Sequence, residues 1–308
     1  MTRILVSDRT HPVLEQRLRE AGFEVSVEPD HDYASLLRAA QGCDGLVVRS
    51  KVLIDSDFID ACPSLRCIGR VGAGMETIDV EHAEARGIRC LNSPEGNRDA
   101  VGEHTVGLLL ALLNNIARAD AEVRRGLWQR EANRGLELSS LTVGIIGFGN
   151  MGQAFARRLL GFGCRIVYYD KYLKPEKLEK LEHLEHLDSL QQEADVVSFH
   201  VPLTAETHHY LDADFIAAMR KPFFLLNTAR GAVVDTDALV DGLESGKVRG
   251  AALDVLENEN MQSDALLTLN PKLLTHNCIF TPHVAGWTVE SKYKLAAVLA
   301  DKIINTLK

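Results

Sequence analysis

The stretch Leu141-Thr142-Val143-Gly144-Ile145-Ile146-Gly147-Phe148-Gly149-Asn150-Met151-Gly152 decides the fold. A short apolar run leads directly into a G-x-G-x-x-G loop, and residues 153–160 behind it have helical spacing. Gly147 permits the tight turn, Gly149 lets a pyrophosphate approach the backbone, and Gly152 lets the helix pack close to the strand. With a strand before it and a helix after it, the motif predicts a dinucleotide-binding loop; the alternative is a glycine-rich turn in a flavodoxin-like unit.

A second predicted strand, Arg165–Tyr169, ends at Asp170, about 20 residues past the glycines. A carboxylate at this position is expected to bind the ribose hydroxyls and to repel the 2′-phosphate of NADP, which favours NAD. The next residue, Lys171, would weaken that exclusion. The alternative interpretation of Asp170 is an ordinary solvated residue at a strand end.

Composition limits the class of protein. The chain has 308 residues with 34 basic and 43 acidic side chains, and its formal net charge is −9. This charge argues against a general nucleic-acid binder and offers no basic patch for a membrane surface, and an anionic substrate would need local Arg or Lys. The 6 cysteines form no C-x-x-C pair, the N-terminus has no signal-peptide layout, and no apolar run has transmembrane length. We therefore expect a cytoplasmic protein with reduced thiols.

Strand-like and helix-like segments alternate along the chain in two series, which predicts an α/β fold with two doubly wound parallel-sheet domains and ligands at the carboxyl ends of the strands. A long helical pattern from Arg98 to Arg125 lies between the two series, and Thr288–Lys308 is predicted to form one amphipathic helix. The predicted strands of the two series, besides the two above, are Ile4–Ser7, Glu24–Val27, Gly45–Val48, Cys67–Val71, Arg89–Leu91, Asp195–Phe199, Phe223–Asn227, Gly250–Asp254 and Cys278–Thr281.

Three polar segments follow strands of the second series. Arg230 lies beside Gly231, where a guanidinium can hold a carboxylate; a surface Arg is the alternative. The second segment carries several acids, and the residues alone do not favour Glu259 over Glu257. His283 follows Pro282 and is a candidate for proton transfer, or else a core histidine.

Together, an Arg, a carboxylate and a His beside a nicotinamide predict hydride transfer at a 2-hydroxy or 2-oxo acid. The Arg would hold the substrate carboxylate, the His would exchange the hydroxyl proton, and the carboxylate would favour the protonated imidazole and set its tautomer.

Several motifs in this order resemble the D-isomer-specific 2-hydroxyacid dehydrogenase family over essentially the whole length. The motifs besides the glycine loop are Val71-Gly72-Ala73-Gly74, Ile78-Asp79, Asn92-Ser93-Pro94-Glu95-Gly96-Asn97, Ser198–Thr204, Arg230, Asp254 and Thr281-Pro282-His283. The resemblance implies that Arg230, Glu259 and His283 form the catalytic set, with Glu259 preferred to Glu257 for its spacing from Asp254. Asn260 departs from the Pro that usually follows the catalytic Glu.

The resemblance also implies the ligand contacts and the domain roles. Residues 1–98 and 286–308 would form a flavodoxin-like substrate domain, and residues 99–285 a Rossmann NAD-binding domain through which the chain forms a homodimer. The implied cofactor contacts are Gly147, Gly149, Asn150, Met151, Gly152, Asp170, His200, Pro202, Thr204, Thr228, Ala229, Arg230, Asp254, His283 and Gly286. The implied substrate contacts are Arg49, Ser50, Lys51, Val71, Gly72, Ala73, Gly74, Asn97 and Arg230.

The identity of the acid is less constrained. Arg49-Ser50-Lys51 resembles the segment that meets the substrate phosphate in D-3-phosphoglycerate dehydrogenases, which favours oxidation of 3-phosphoglycerate to 3-phosphohydroxypyruvate. Glyoxylate or hydroxypyruvate reductase, 4-phosphoerythronate dehydrogenase and a non-catalytic NAD-sensing protein are the alternatives. No regulatory domain is expected after Lys308. The His208-His209 and His183/His186 pairs lack metal-ligand spacing, the latter lying in a predicted helix face at Leu178–Leu187, so no metal is expected.

Overall fold

The computed structural model describes residues 1–173, 181–259 and 270–308 of the chain. These residues form two compact units, one of residues 1–98 and 287–308 and the other of residues 99–286. The predicted boundary at 286 differs from this division by one residue, and Gly286 lies in the second unit. Asn260 lies outside the described residues.

The first unit contains a parallel sheet. Its elements before the crossing to the second unit are β1 (Arg3–Val6), α1 (Val13–Glu20), β2 (Glu24–Val27), α2 (Tyr33–Ala40), β3 (Gly45–Val48), α3 (Ser56–Ala61), β4 (Cys67–Arg70), α4 (Val80–Ala85) and β5 (Arg89–Leu91). The 5 strands have the order β2-β1-β3-β4-β5, which is the flavodoxin-like order.

The second unit contains a larger parallel sheet. Its elements are α5 (Arg98–Leu113, whose first residue belongs to the first unit), α6 (Ile116–Arg124), β6 (Thr142–Ile146), α7 (Asn150–Leu159), β7 (Arg165–Tyr169), β8 (Glu182–His183), α8 (Leu187–Glu193), β9 (Val196–Phe199), α9 (Ala213–Ala218), β10 (Phe223–Asn227), α10 (Thr236–Glu244), β11 (Val248–Leu253) and β12 (Cys278–Phe280). The order is β12-β11-β10-β9-β6-β7-β8: the chain adds β7 and β8 on one side of β6 and β9 to β12 on the other, and the glycine loop begins at the end of β6. The predicted α/β class with two doubly wound parallel sheets is confirmed.

Both sheets are covered on both faces, because successive strand residues point to opposite sides. In β1, Ile4 and Val6 pack with one hydrophobic cluster, whereas Leu5 packs with the cluster on the other face. In β6, Val143 and Ile146 divide in the same way. This two-sided burial explains why the strands are almost continuously apolar.

A final helix, α11 (Val289–Leu307), belongs to the first unit. The helix predicted over residues 288–308 is present, and Thr288 caps it in a capping box with Ser291. Lys302 Nζ lies 2.9 Å from Glu95 Oε1, and the backbone at Gly96 packs so closely that a Cβ there would lie 2.5 Å from Leu295 N. A glycine is therefore required where the chain passes under this helix.

The long helical pattern predicted from Arg98 to Arg125 forms two helices and not one. The helix stops at Leu113 and restarts at Ile116, with a bend of 61°. Asn115 has a left-handed φ of 53°, a conformation that Asn tolerates better than most residues, and Asn114 bonds to the carbonyl of Leu110 at 3.1 Å. The helical spacing of apolar side chains continues from α5 into α6, so this spacing did not reveal the break between them.

The predicted helix over Leu178–Leu187 is wrong where the structure describes it; residues 178–180 lie outside the described part. Residues 182–183 form β8, which pairs with Val167 and Tyr168 of β7, and α8 begins only at Leu187. Pairing with a free sheet edge outweighs the helical spacing of this segment.

In the described part of the chain, no single helix has both the length and the apolar composition needed to cross a bilayer; the bent pair α5 and α6 meets these two criteria only jointly.

Gly96 gives a test of the packing beneath α11. Gly96→Ala places a methyl group against the backbone of Leu295, so we expect it to lower the free energy of unfolding by about 2–4 kcal/mol, as overpacking does. Gly107→Ala is the matched control: Gly107 lies in α5 with no described atom within 4 Å of the place where the added methyl group would be, so this change should be neutral or stabilising by about 0.5–1 kcal/mol. Urea denaturation followed by circular dichroism measures both, and equal effects would contradict the packing argument.

Candidate active site

The glycine loop follows β6 as the sequence predicted. Gly147 has a φ of 88°, and a Cβ there would lie 2.7 Å from the carbonyl oxygen of His200. A Cβ at Gly152 would overlap the carbonyl oxygen of Gly147. These two glycines therefore serve the turn and the close packing of α7 on the strand.

Gly149 differs from both, because no described atom lies within 4 Å of the place where its Cβ would be. It is the N-cap of α7, a helix of 10 residues, and it supplies no side chain to the first free N–H groups. Asn150 and Met151 are the first two helical residues. Open space before uncapped N–H groups and the positive end of a helix dipole fits a pyrophosphate, so this loop fits NAD.

Asp170 lies at the end of β7, as predicted. Its Oδ2 accepts a hydrogen bond from Phe148 N at 2.7 Å, and its Oδ1 accepts from Tyr172 N at 2.9 Å and Leu173 N at 2.8 Å. The carboxylate thus ties the glycine loop to the end of the strand. Lys171, the cation that would weaken the exclusion of NADP, is ion-paired with Glu206.

The segment after β9 contains three of the predicted cofactor residues. His200 Nε2 lies 2.9 Å from Ser198 Oγ, and burial lowers the pKa of His200 to about 3, which leaves the ring neutral. The Thr207 hydroxyl donates to the Pro202 carbonyl and accepts from Thr204 N at 2.8 Å. Thr207, which no sequence motif indicated, therefore shapes this loop.

Arg230 follows the fully buried Asn227. The Asn227 amide accepts from Ala229 N at 3.1 Å and donates to the Arg230 carbonyl at 2.9 Å, so its side chain closes the turn that carries the guanidinium. Thr228 Oγ1 lies 3.3 Å from Thr105 Oγ1 of α5. The sequence predicted no role for Asn227, because its task depends on burial that the sequence does not display.

His283 and Glu259 are brought together: Nδ1 of the imidazole lies 2.7 Å from Oε1 of the carboxylate. An ionised carboxylate can only accept, so Nδ1 carries the proton and Nε2 keeps a lone pair for exchange with a substrate. Arg230 is linked to the same group through Gly231, where a Cβ would overlap the carbonyl of Leu256. The backbone beside Arg230 therefore packs directly on the turn that presents Glu259.

Asp254 holds the loop of His283. Its side chain is buried and accepts from the Thr281 hydroxyl at 2.5 Å, from Val284 N at 2.9 Å and from Ala285 N at 2.9 Å. His283 adopts a positive φ of 55° while its N–H donates to the Asp254 carbonyl at 2.7 Å. The predicted site residue Gly286 directly follows this clamped segment.

His104 joins this cluster from α5. Its Nε2 lies 3.0 Å from Thr281 Oγ1 and 3.6 Å from Asp254 Oδ1. Nothing in the local sequence around His104 indicates this contact, because it joins residues far apart in the chain.

In the first unit, Arg49 is held by contacts of both its backbone and its side chain. The backbone N–H of Arg49 donates to the buried carboxylate of Asp8 at 2.9 Å, and the guanidinium carbon lies 4.7 Å from the ring centre of Trp287. Burial lowers the pKa of Arg49, but it stays charged at neutral pH. Lys51 Nζ, by contrast, lies 3.0 Å from Asp30 Oδ1, and Ser50 lies between the two cations.

The Val71–Gly74 segment follows β4, and two of its carbonyl groups accept hydrogen bonds from the segment after β5. Ser93 N donates to the Gly72 carbonyl at 2.9 Å, and Asn92 Nδ2 donates to the Ala73 carbonyl at 2.7 Å. Asn97 has a buried Oδ1 with no hydrogen-bond partner among the described residues, which is a polar group suited to a ligand.

Within the described ranges, no group of three His, Cys, Asp or Glu side chains could hold a metal ion. His209, one of the paired histidines for which no metal is expected, instead lies 2.6 Å from Glu257 Oε1.

The sequence pattern of the family described as D-isomer specific 2-hydroxyacid dehydrogenase, NAD binding domain, matches residues 106–285. The chain is 39% identical to the hydroxypyruvate reductase of Thermotoga maritima, over 92% of each protein. It is 38% identical to the D-3-phosphoglycerate dehydrogenase of Methanocaldococcus jannaschii over 100% of this chain, but it spans only 58% of that relative's length.

The fold is also similar to solved structures. The crystal structure of the TT0316 protein from Thermus thermophilus superposes with a TM-score of 0.83 at 36% identity, covering 99% of this chain and 97% of that one.

The two glycines of the loop make separable predictions for NAD. Gly149→Ala puts a methyl group where the pyrophosphate approaches, so the Kd for NADH should rise about 10–100-fold while the melting temperature changes by less than about 4 °C. Gly152→Ala should lower both affinity and melting temperature, because its methyl group overlaps the backbone of Gly147. NADH fluorescence titration and thermal unfolding measure the two quantities. Unchanged NADH affinity in Gly149→Ala would contradict the assigned pyrophosphate position.

Proposed function

Since the chain belongs to the D-isomer specific 2-hydroxyacid dehydrogenase family, we propose that it interconverts a small D-2-hydroxy acid and its 2-oxo acid with NAD, and that the pair is 3-phosphoglycerate and 3-phosphohydroxypyruvate. The observation that carries the activity is the His283–Glu259 contact of 2.7 Å beside the Arg230 turn. In this proposal, the pair supplies proton exchange and the neighbouring Arg230 supplies the carboxylate clamp.

In the oxidative direction, Arg230 holds the substrate carboxylate by its guanidinium, and Nε2 of His283 takes the proton of the 2-hydroxyl group. NAD⁺, which the Gly147–Gly152 loop would hold, would supply the acceptor for the hydride of carbon 2, so that loss of one proton to His283 and of one hydride turns the alcohol into a ketone. Glu259 stabilises the imidazolium that forms and keeps Nδ1 protonated. In reduction, His283 returns the proton to the carbonyl oxygen.

The choice of NAD over NADP is supported by Asp170 and by its neighbour. The Asp170 carboxylate would repel a 2′-phosphate if the adenosine ribose binds at the end of β7, and Lys171 is already paired with Glu206. A preference for NADPH in steady-state kinetics would contradict this role of Asp170.

The phosphate is assigned to the first unit. A chain of net charge −9 needs local cations for a phosphorylated acid, and Arg49 is a charged guanidinium held against the ring of Trp287. Lys51 contributes less, because Asp30 at 3.0 Å neutralises it. The Val71–Gly74 backbone would receive the substrate carboxylate, and the Asn97 amide would bond to a substrate oxygen.

A second candidate is hydroxypyruvate reductase, which the similarity to the Thermotoga maritima enzyme along 92% of both chains favours. Its substrate lacks the phosphate, so the two candidates differ in whether Arg49 matters for substrate binding.

We also propose a homodimer formed through the NAD-binding domain, in the cytoplasm. Four apolar side chains of α6 and the segment after it remain exposed: Ile116 (53%), Val123 (51%), Leu127 (44%) and Trp128 (77%). Such a group of apolar side chains fits a subunit interface. Observation of a monomer by sedimentation velocity would contradict the dimer. The proposal of a cytoplasmic location is supported by the six cysteines, which form no disulfide and so fit a reducing compartment.

His283 tests the chemistry. His283→Ala should lower kcat for NADH oxidation with a 2-oxo acid about 100–10,000-fold, while the Kd for NADH stays within about 3-fold, because the imidazole acts on the substrate proton. His82→Ala is the control, since His82 forms a similar contact with Asp60 at 2.8 Å in the first unit. Undiminished turnover in His283→Ala would refute the mechanism. A wild type that binds NADH but turns over no acid would favour the NAD-sensing alternative.

Arg49 tests the substrate. NADH oxidation is measured with phosphohydroxypyruvate, hydroxypyruvate, glyoxylate and pyruvate, and we expect the highest kcat/KM for phosphohydroxypyruvate. Arg49→Ala should raise the KM for phosphohydroxypyruvate about 10–100-fold through loss of a charge-assisted contact, and should change the KM for glyoxylate less than about 3-fold. Arg9→Ala, which removes an exposed cation paired with Asp30, is the control. Equal losses on both substrates would count against a phosphate contact.

A further inference from the structure

Two glutamates in one turn each pair with a different histidine. Glu259 contacts His283, and Glu257, two residues earlier, places its Oε1 2.6 Å from Nε2 of His209. In the sequence, only spacing distinguishes these glutamates. The structure places them in different surroundings, and only Glu259 contacts the proposed proton carrier.

Glu257 is anchored at both carboxylate oxygens. Its Oε2 accepts from Thr236 N at 3.2 Å, at the start of α10, where the helix dipole favours a negative charge. Burial alone would raise the pKa of Glu257, but hydrogen bonds from Thr236 and His209 outweigh it and lower that pKa. The Glu257 carboxylate is therefore ionised at neutral pH.

His209 is itself fixed in an uncommon conformation. It has a φ of 51°, and its backbone N–H donates to the Ala232 carbonyl at 2.8 Å. Its Nδ1 lies 3.7 Å from Asp235 Oδ2, so the ring is bracketed by two carboxylates. A non-glycine residue at positive φ costs about 1 kcal/mol or more, and this cost is tolerated where surrounding contacts hold it in place.

Hydrogen bonds within the Leu256–Glu259 turn connect the two glutamates. Glu259 Oε2 accepts from Leu256 N at 3.2 Å, and Glu259 N donates to the Leu256 carbonyl at 3.2 Å. On the other side, the Leu256 carbonyl packs against Gly231, where no Cβ fits. These contacts tie the backbone beside Glu257 to the Glu259 carboxylate.

We propose that Glu257 and His209 form a positioning pair that fixes the turn carrying Glu259 and thereby orients His283. Neither residue touches the substrate in this proposal. It rests on the proposed function, because turnover is one of its readouts. A misplacement of about 1 Å in a reacting group lowers rates about 10–100-fold, so a pair remote from the reacting atoms can matter for kcat.

A double-mutant cycle tests whether Glu257 acts through Glu259. Glu257→Gln should lower kcat about 10-fold, with KM and the Kd for NADH within about 2-fold. Glu259→Gln should lower kcat further. The double variant should be no slower than Glu259→Gln alone, because Glu257 acts only by positioning the Glu259 carboxylate, which that variant lacks. Multiplying effects, or an unchanged kcat in Glu257→Gln, would overturn the proposal.

His209→Gly separates positioning from stability. Glycine adopts the positive φ without strain, so the melting temperature should change by less than about 4 °C while kcat falls about 10-fold. Asp60→Asn breaks the comparable His82 contact in the first unit and should leave kcat unchanged. A loss of kcat that is equal in His209→Gly and Asp60→Asn would overturn the proposal.

A second readout does not need turnover. In ¹⁵N-histidine spectra of the full chain, the ring signals of His283, assigned by their loss in His283→Ala, should report the Nδ1–H tautomer and should shift or broaden in Glu257→Gln but not in Asp60→Asn. Unchanged His283 signals in Glu257→Gln would overturn the proposal. A wild type that is inactive on all acids but shows this spectral change would refute the proposed function and retain the positioning pair.

Discussion

The buried carboxylate of Asp254 is the interaction on which the rest of the candidate site depends. A charged group removed from water is tolerated only when donors surround it, and here a hydroxyl and two backbone amides come from one short segment, residues 281–285. Satisfying that charge fixes the path of the chain after β12. His283 is therefore held by the backbone first, and its left-handed φ is maintained by the bonds that Asp254 accepts on either side of it.

A second constraint acts from the opposite direction. The Arg230 turn and the Leu256–Glu259 turn approach so closely at Gly231 that no side chain fits between them. The guanidinium, the carboxylate and the imidazole are thus carried on three strand ends whose loops contact one another through backbone. Catalytic geometry in such an arrangement depends on main-chain packing as much as on the three side chains themselves.

The regular parts of the fold were predictable because burial on both sheet faces makes the strands nearly continuous apolar runs, and β2, β3, β5, β7 and β10 have the predicted bounds. The predictions of secondary structure were wrong where the spacing of side chains indicated a helix but the backbone adopts another conformation. Asn115 breaks a helix whose apolar spacing runs on, and residues 182–183 pair with a sheet edge despite helical spacing. In the site, glycine positions and strand-end residues could be located from sequence. The pairing of Glu257 with His209, of Arg49 with Trp287 and of His104 with Thr281 could not, because each joins segments far apart in the chain.

The course of the chain through the first unit has a consequence for its biosynthesis. Part of one face of the five-stranded sheet is covered by Leu295, Leu299 and Ile303 of α11, which is made after all of the second unit. On a ribosome, the sheet strands and α1 emerge early, yet the part of this face that packs on α11 stays uncovered until α11 emerges. The second unit has no such dependence and can close its core first. Contacts between segments so distant in sequence form slowly, so the nascent first unit is the part of this protein most exposed to aggregation and to chaperone binding.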